Sequence, residues 1–174
     1  MIKKYTIFAF AAVLSLCSCC RDYCRPDGEE AYGYSVDGSR GRIELQRLSD
    51  SLNVVLHLRG ADTLDRWEIS HPVYRFECAD LTGDAVPEIV VGVEKSTRYR
   101  PDVDRRLFIF HLFHGKFIRP LWLGSRVGAP LVDFQLDRSS EPARVHTWET
   151  LEDGTQVQRL YVYDGFGLKY YSTL

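Results

Sequence analysis

The chain has 174 residues, with 22 Lys and Arg residues against 24 Asp and Glu residues, and 45% of it is hydrophobic. This length predicts one modest globular domain, and an aromatic content of 13% excludes a disordered, charge-rich protein. The near-neutral charge balance argues against a nucleic-acid partner, because a surface that follows phosphates carries a clear excess of Lys and Arg.

The first twenty residues have the pattern of an export signal. Lys3 and Lys4 precede an apolar run that is too short and too early for a membrane-spanning helix. The run ends at Leu16-Cys17-Ser18-Cys19, which resembles the lipobox of bacterial lipoproteins. The resemblance implies a signal peptide at residues 1–18 and a membrane anchor on acylated Cys19, which carries enough acyl chains for stable attachment. The alternative is an ordinary secretory signal followed by an unmodified cysteine.

The residue after the lipobox cysteine bears on localisation. It is Cys20, and not the Asp that retains many lipoproteins of Gram-negative bacteria in the inner membrane. The resemblance therefore implies the bacterial outer membrane, and it leaves a periplasmic or a surface-facing orientation open. A bridge between Cys20 and Cys24 also stays open, whereas Cys78 is predicted to be a buried thiol in a strand.

Residues 19–40 are predicted to form a tether, and residues 41–174 a single all-β domain. The tether is rich in Gly and charged residues, whereas the domain shows apolar alternation and almost no helical periodicity. Its first part is predicted to contain strands at residues 42–48, 52–58 and 64–69.

Two later segments, residues 73–123 and 130–174, are similar to each other. Each predicts four strands that follow one another as an antiparallel meander. His114-Gly115 and Asp164-Gly165 predict the tight turns of the last hairpins. Residues 42–69 are a weaker third copy without a recognisable first strand. The predicted strands are 74–81, 87–93, 107–113 and 116–122 in one copy, and 132–136, 142–148, 159–163 and 167–172 in the other.

The stretch from Asp80 to Ile89, followed by Val90-Val91-Gly92, resembles the signature of the FG-GAP and VCBS repeat families. Those families build four-stranded blades of β-propellers. At about 50 residues per blade, residues 41–174 are too few for a closed propeller. The resemblance therefore implies repeated four-stranded antiparallel meanders in a partial propeller or in sandwich-like packing. Completion by further copies of the chain, as a homo-oligomer, is the alternative.

The same resemblance implies a calcium loop with ligands at Asp80, Thr82, Asp84 and Glu88. Thr is a poor calcium ligand, and Ala85 replaces the glycine that the sharp turn prefers. We expect no cofactor beyond, at most, weakly held calcium. In the alternative interpretation, Asp80 and Asp84 bind backbone N–H groups and fix the turn.

A polar segment at residues 94–106 is the candidate partner-binding loop. Its basic and aromatic residues are typical of protein interfaces and sugar sites. A merely solvated connection has the same composition. The candidate residues are Arg98, Tyr99, Arg100, Arg105 and Arg106.

Two classes of function follow from the sequence. The first is a membrane-anchored, non-catalytic binding or assembly lipoprotein with a glycan or protein partner. The second is an envelope hydrolase of glycans or peptides, whose carboxylate pair would come from Asp80, Asp84, Glu88 or Glu149. The absence of a nucleophile elbow or a phosphate loop favours the first. Glu149 is predicted to lie near a solvated hairpin tip.

Overall fold

The computed structural model describes residues 23–24, 30–97, 100–124 and 126–174. All regular secondary structure in these ranges is β-strand. The predicted all-β class is thereby confirmed. In the same ranges, no helix has the length and apolar character needed to cross a membrane. The predicted signal peptide and the predicted anchor residue Cys19 lie outside the described residues.

The first four-stranded meander begins at Glu30. Its strands pair antiparallel in chain order, and the two-residue strand β1 (Tyr23–Cys24) pairs with its first strand. The four strands of this meander are β2 (Glu30–Val36), β3 (Ser39–Arg47), β4 (Asn53–Arg59) and β5 (Asp62–Ile69).

Strand β2 corrects the predicted limits of the tether, because residues 30–40 belong to the first hairpin. Tyr32, Tyr34 and Val36 alternate with exposed residues, and the two tyrosines pack against a buried cluster. Asp37 and Gly38 both have positive φ, as the tight hairpin between β2 and β3 requires. The Gly and charged residues of this stretch hid the alternation. The third copy therefore has the first strand that the sequence did not reveal.

The remaining strands form two further meanders within one eight-stranded sheet. This confirms the predicted repetition of four-stranded antiparallel meanders. A single bridge between Leu131 and Arg105 joins the two. The second meander contains β6 (Val73–Ala79), β7 (Glu88–Thr97), β8 (Arg100–Phe113) and β9 (Phe117–Leu123), and the third contains β10 (Leu131–Asp137), β11 (Arg144–Thr150), β12 (Gln156–Tyr163) and β13 (Leu168–Thr173).

The two predicted hairpin turns have different outcomes. His114 and Gly115 both have positive φ, and Lys116 N donates to Phe113 O, so this turn is tight as predicted. The last hairpin instead has a four-residue loop at residues 164–167, in which Asp164 N donates to Gly167 O. Asp164 lacks the positive φ that a two-residue turn needs at this position.

The second meander lies between the other two. Ile89 and Val91 belong to the apolar cluster shared with the first meander, whereas Val90 belongs to the cluster shared with the third. In β8, Phe110 belongs to the cluster shared with the first meander, and Ile109 belongs to the cluster shared with the third. Because strand side chains alternate between faces, the middle meander is apolar on both faces, and the three meanders form three layers.

Polar side chains lock the first layer to the second. His57 is fully buried, and its Nδ1 donates to Lys116 O at 2.7 Å while Nε2 accepts from the Tyr34 hydroxyl at 2.7 Å. Burial lowers the pKa of His57, which favours this neutral form. Beside it, Asp65 accepts a hydrogen bond from Ile118 N at 2.8 Å and contacts Arg119. These bonds fix the outer hairpin of the second meander on the first.

The two outward faces of the stack are polar. In the first meander, Ile43 and Leu45 face the core, so Arg42 and its ion-pair partner Glu44 lie on the opposite face. In the third meander, His146 stacks on Trp148 at 4.2 Å between ring centroids, and its Nε2 donates a hydrogen bond to Gln158 Oε1 at 3.0 Å. Such terminal faces end a stack of repeats without a further layer.

We predict that His57→Phe destabilises the protein by about 2–3 kcal/mol, because the Tyr34 hydroxyl and the Lys116 carbonyl lose their buried partner. Urea unfolding measures this difference. His146→Phe is the matched control, since its partly exposed ring keeps the stacking on Trp148, and we expect a change below about 0.5 kcal/mol. Equal losses in both variants would contradict the locking role of His57.

Candidate functional site

The candidate site is a cleft between the first strands of the three meanders, β2, β6 and β10. Its volume is about 400 Å³, which is within the range of small-molecule sites. It combines aromatic rings with acidic, basic and amide groups. Its lining among the described residues includes Glu30, Tyr32, Tyr74, Arg75, Phe76, Glu77, Gln135 and Arg138.

A salt bridge between equivalent positions of two repeats forms one wall of the cleft. Arg75 donates to both carboxylate oxygens of Asp133, at 2.8 and 2.6 Å, and the two residues are 58 positions apart, like Phe76 and Phe134. Both strands also have a bulge at this place. Burial opposes ionisation of Asp133, but the hydrogen bond from Arg75 lowers its pKa. The pair therefore fixes β10 beside β6.

Glu77, two residues after Arg75 on β6, extends this network. It accepts hydrogen bonds from Leu136 N at 3.1 Å and from Arg138 at 3.2 Å, and Arg75 lies 3.8 Å away. Burial raises the pKa of Glu77, while these donors and the two arginines oppose that rise. Each acidic group of this wall thus has a guanidinium partner.

Arginine side chains also cover the backbone at the edges of these strands. Arg47 donates to the carbonyl of Val73, and Arg138 donates to Cys78 O at 3.1 Å. On β10, Arg105 donates to Val132 O at 2.6 Å. These carbonyls would otherwise be available to an added strand, so the guanidinium groups protect the edges.

Two residues of the cleft carry buried polar atoms without a hydrogen-bond partner among the described residues. They are Glu30 Oε2 and the hydroxyl oxygen of Tyr74. The other oxygen of Glu30 accepts from Arg47 at 3.0 Å. The Tyr74 ring lies against Gly92, where a side chain would collide with it, and burial raises the pKa of its hydroxyl. Both atoms are buried, so they lie behind the surface of the cleft.

In the predicted calcium loop, the carboxylates bind the backbone. Asp80 accepts hydrogen bonds from Thr82 N, Gly83 N and Ala85 N, and Asp84 accepts one from Val86 N. Ala85 has φ of 65°, so it takes the left-handed conformation that glycine would provide. This is the alternative role stated for Asp80 and Asp84. In the described part of the chain, no group of three or more His, Cys, Asp or Glu residues is placed to hold a metal ion.

Glu88 is buried beneath this loop with an exposed fraction of 1%. Its Oε2 accepts from Leu81 N at 2.8 Å and from Thr82 N at 3.2 Å. Burial, together with the charges of Asp84 and Asp80, raises the pKa of Glu88 to about 7, against the opposing effect of the backbone donors. Glu88 therefore supports the loop from inside the protein.

Of the predicted partner-binding residues, the structure describes the side chains of Arg105 and Arg106. Arg105 pairs with Glu94 at 3.2 Å and lies over the Tyr74 ring at 4.6 Å. Arg106 is only 8% exposed and donates to Gly124 O at 3.0 Å. Both guanidinium groups thus bind groups of this chain, and Arg105, whose side chain is 41% exposed, does so at the surface. Arg98 and Tyr99 lie outside the described residues, as does the side chain of Arg100.

Glu149 is fully buried, which corrects its predicted place at a solvated tip. Its oxygens accept from Thr147 and Tyr161 hydroxyls at 2.7 Å and from Arg159 at 2.8 Å. Gly128 lies so close that any side chain there would collide with this network. The sequence-based prediction was wrong because Glu149 is close to polar turn residues. In the structure, β11 continues through Glu149, and the Glu149 side chain points inward.

Sequence reasoning did not single out the cleft residues. The sequence contained one signal for the cleft. When the two similar segments are aligned, Arg75 and Asp133 occupy matching positions and have opposite charges. Comparison of the chain with protein-family models and with curated proteins finds no match. Assignment of the site therefore rests on its own geometry and chemistry.

We predict that stability falls as pH rises from about 4.5 to about 7, by up to about 3 kcal/mol from Glu88 alone. The folded state binds this proton more tightly than the unfolded chain, so the contribution is complete below pH 4.5 and is lost as pH passes 7. Urea unfolding of Glu88→Gln across this range is expected to show a flatter dependence. Glu152→Gln, at an exposed position, is the control, and an unchanged slope in Glu88→Gln would contradict the prediction.

We also predict weak or absent calcium binding, with millimolar affinity at best, because the loop carboxylates are already hydrogen-bonded to the backbone. Melting temperatures in EDTA and in about 5 mM Ca²⁺ are expected to differ by less than a few degrees, since binding near Kd contributes only about 0.4–1 kcal/mol. A much larger stabilisation that disappears in Asp84→Asn would restore the calcium site.

Proposed function

We propose that the chain is a membrane-anchored, non-catalytic binding lipoprotein of the bacterial outer membrane, and that its ligand occupies the cleft between β2, β6 and β10. The observation that carries this proposal is a cleft of ligand size in which partly buried aromatic rings lie beside acidic, basic and amide groups. The lipobox at Leu16 to Cys19 supports the anchor.

The environments of the carboxylates favour binding over hydrolysis. A general acid and base must reach the substrate from a shared cleft. Glu149 and Glu88 are buried, with 0% and 1% exposure, and Asp80 uses both oxygens for backbone N–H groups. Within the cleft, Glu30 and Glu77 are each paired with arginine. Glu149, Glu88 and Asp80 are thus held in structural roles, and each of the two cleft carboxylates is ion-paired with an arginine.

The anchor is tested by metabolic labelling. Radiolabelled palmitate is expected to enter the protein, and Cys19→Ala is expected to abolish labelling and to leave the uncleaved precursor. Cys78→Ala is the control, because this buried thiol lies in β6 and its loss leaves the lipobox intact. Labelling that persists in Cys19→Ala would contradict the lipoprotein assignment.

Binding at the cleft is tested by thermal melts of the full chain with soluble envelope material, separated into a polysaccharide and a peptide fraction. At least one fraction is expected to raise the melting temperature by several degrees, as ligand well above Kd does. Gln135→Trp fills the cleft from β10 and is expected to abolish the shift.

Gln46→Trp is the matched control, because Gln46 is exposed on the outward face of the first meander. The proposed function is wrong if neither fraction shifts the melting temperature. It is also wrong if the shift survives in Gln135→Trp.

A further inference from the structure

We infer that the ligand of the cleft is a neutral saccharide, bound by ring stacking and by hydrogen bonds to its hydroxyl groups. This inference rests on the proposed function and names the chemical class of its ligand. Four observations carry it: the charge of the cleft, its aromatic rings, its protected strand edges and its exposed polar groups.

The charge of the cleft indicates a neutral ligand. Two carboxylates, of Glu30 and Glu77, and two guanidinium groups, of Arg75 and Arg138, line it among the described residues. Glu77 lies within ion-pair distance of both arginines, and Glu30 pairs with Arg47. An anionic ligand would have to compete with Glu77 for its arginines, and a cationic ligand would have to displace Arg47. A neutral ligand leaves these pairs intact.

The aromatic residues supply surfaces for an apolar ring face. Tyr32 and Phe76 line the cleft from β2 and β6, and both are only partly buried. The C–H face of a sugar ring packs on such flat side chains, while its hydroxyl groups point to the sides. The polar groups of Glu30, Arg75, Gln135 and Arg138 surround these rings, so both kinds of contact are present in one cleft.

The strand edges argue against an extended peptide as the ligand. A peptide that adds a strand pairs with the N–H and carbonyl groups of an edge. The carbonyls of Val73, Cys78 and Val132 already accept arginine side chains, and Leu136 N donates to Glu77. Strand addition would break several of these charge-assisted bonds. Recognition in the cleft therefore uses side chains.

The exposed polar groups of the cleft match hydroxyl groups. The Glu30 side chain is 32% exposed and its carboxylate accepts hydrogen bonds, whereas the exposed Gln135 amide donates and accepts. A sugar hydroxyl also does both, so one ligand class can bind either group. Loss of the charged acceptor at Glu30 is therefore expected to weaken binding about tenfold, as expected for one charge-assisted hydrogen bond.

The test uses the full lipidated chain in lauryldimethylamine oxide, a detergent without a sugar headgroup. The neutral probes are maltohexaose, cellohexaose, xylohexaose and chitohexaose. Hexagalacturonate serves as the anionic probe and the peptide (Thr-Val)₄ as the extended-strand probe. Calorimetry gives the affinity, and saturation-transfer NMR shows which ligand protons contact the protein.

At least one neutral hexasaccharide is expected to bind saturably, with its ring C–H protons closest to the protein. Glu30→Gln is expected to weaken this binding about tenfold, and Phe76→Leu to remove the C–H signal while the fold is kept. Glu68→Gln is the matched control, because it removes an ion-paired carboxylate from the outward face of the first meander. We expect it to bind as the wild type does.

Three outcomes would overturn the inference: no neutral probe binds, binding is unchanged in Glu30→Gln, or the anionic or peptide probe binds more tightly than every neutral one. The proposed function is judged separately by Gln135→Trp. If only the peptide fraction or peptide probe binds and Gln135→Trp abolishes that binding, the cleft is a binding site and the saccharide assignment alone is wrong.

Discussion

The middle meander must bury both of its faces, and the arrangement of the other two layers depends on this constraint. Ile89 and Val91 on one face and Val90 on the other leave no side of β7 for solvent. A strand that is apolar on both faces needs a packed layer over each face. Strands of parallel sheets are buried in this way, whereas the strands here pair antiparallel. The first and third meanders supply those layers.

The same constraint creates the cleft. Because the three meanders stack in order, their first strands converge, and the edges of β2, β6 and β10 come close together. Arg75 and Asp133 hold two of these strands at matching positions, and arginine side chains cover the carbonyls that remain. The polar cleft is thus a consequence of stacking repeats whose first strands carry charged residues.

The all-β class and most strands were predictable because alternation and continuous apolar runs are local signals. Strand β2 was missed although Tyr32, Tyr34 and Val36 alternate with Gly33 and Ser35, because the glycines and charges around it are typical of a linker. Glu149 was placed wrongly because its partners Thr147, Tyr161 and Arg159 come together only when β11 and β12 pair. The cleft was missed for the same reason, since its residues meet through contacts between layers that no local pattern encodes.

The polar outward faces also determine how such a fold can grow. A meander added at either end would have to cover the Arg42 and Glu44 ion pair, or the His146 and Gln158 hydrogen bond, and would desolvate these polar groups. A copy of the middle meander inserted between existing layers would meet apolar faces on both sides. Lengthening by internal duplication is therefore compatible with this architecture, and each inserted layer would bring one more first strand to the cleft and widen it.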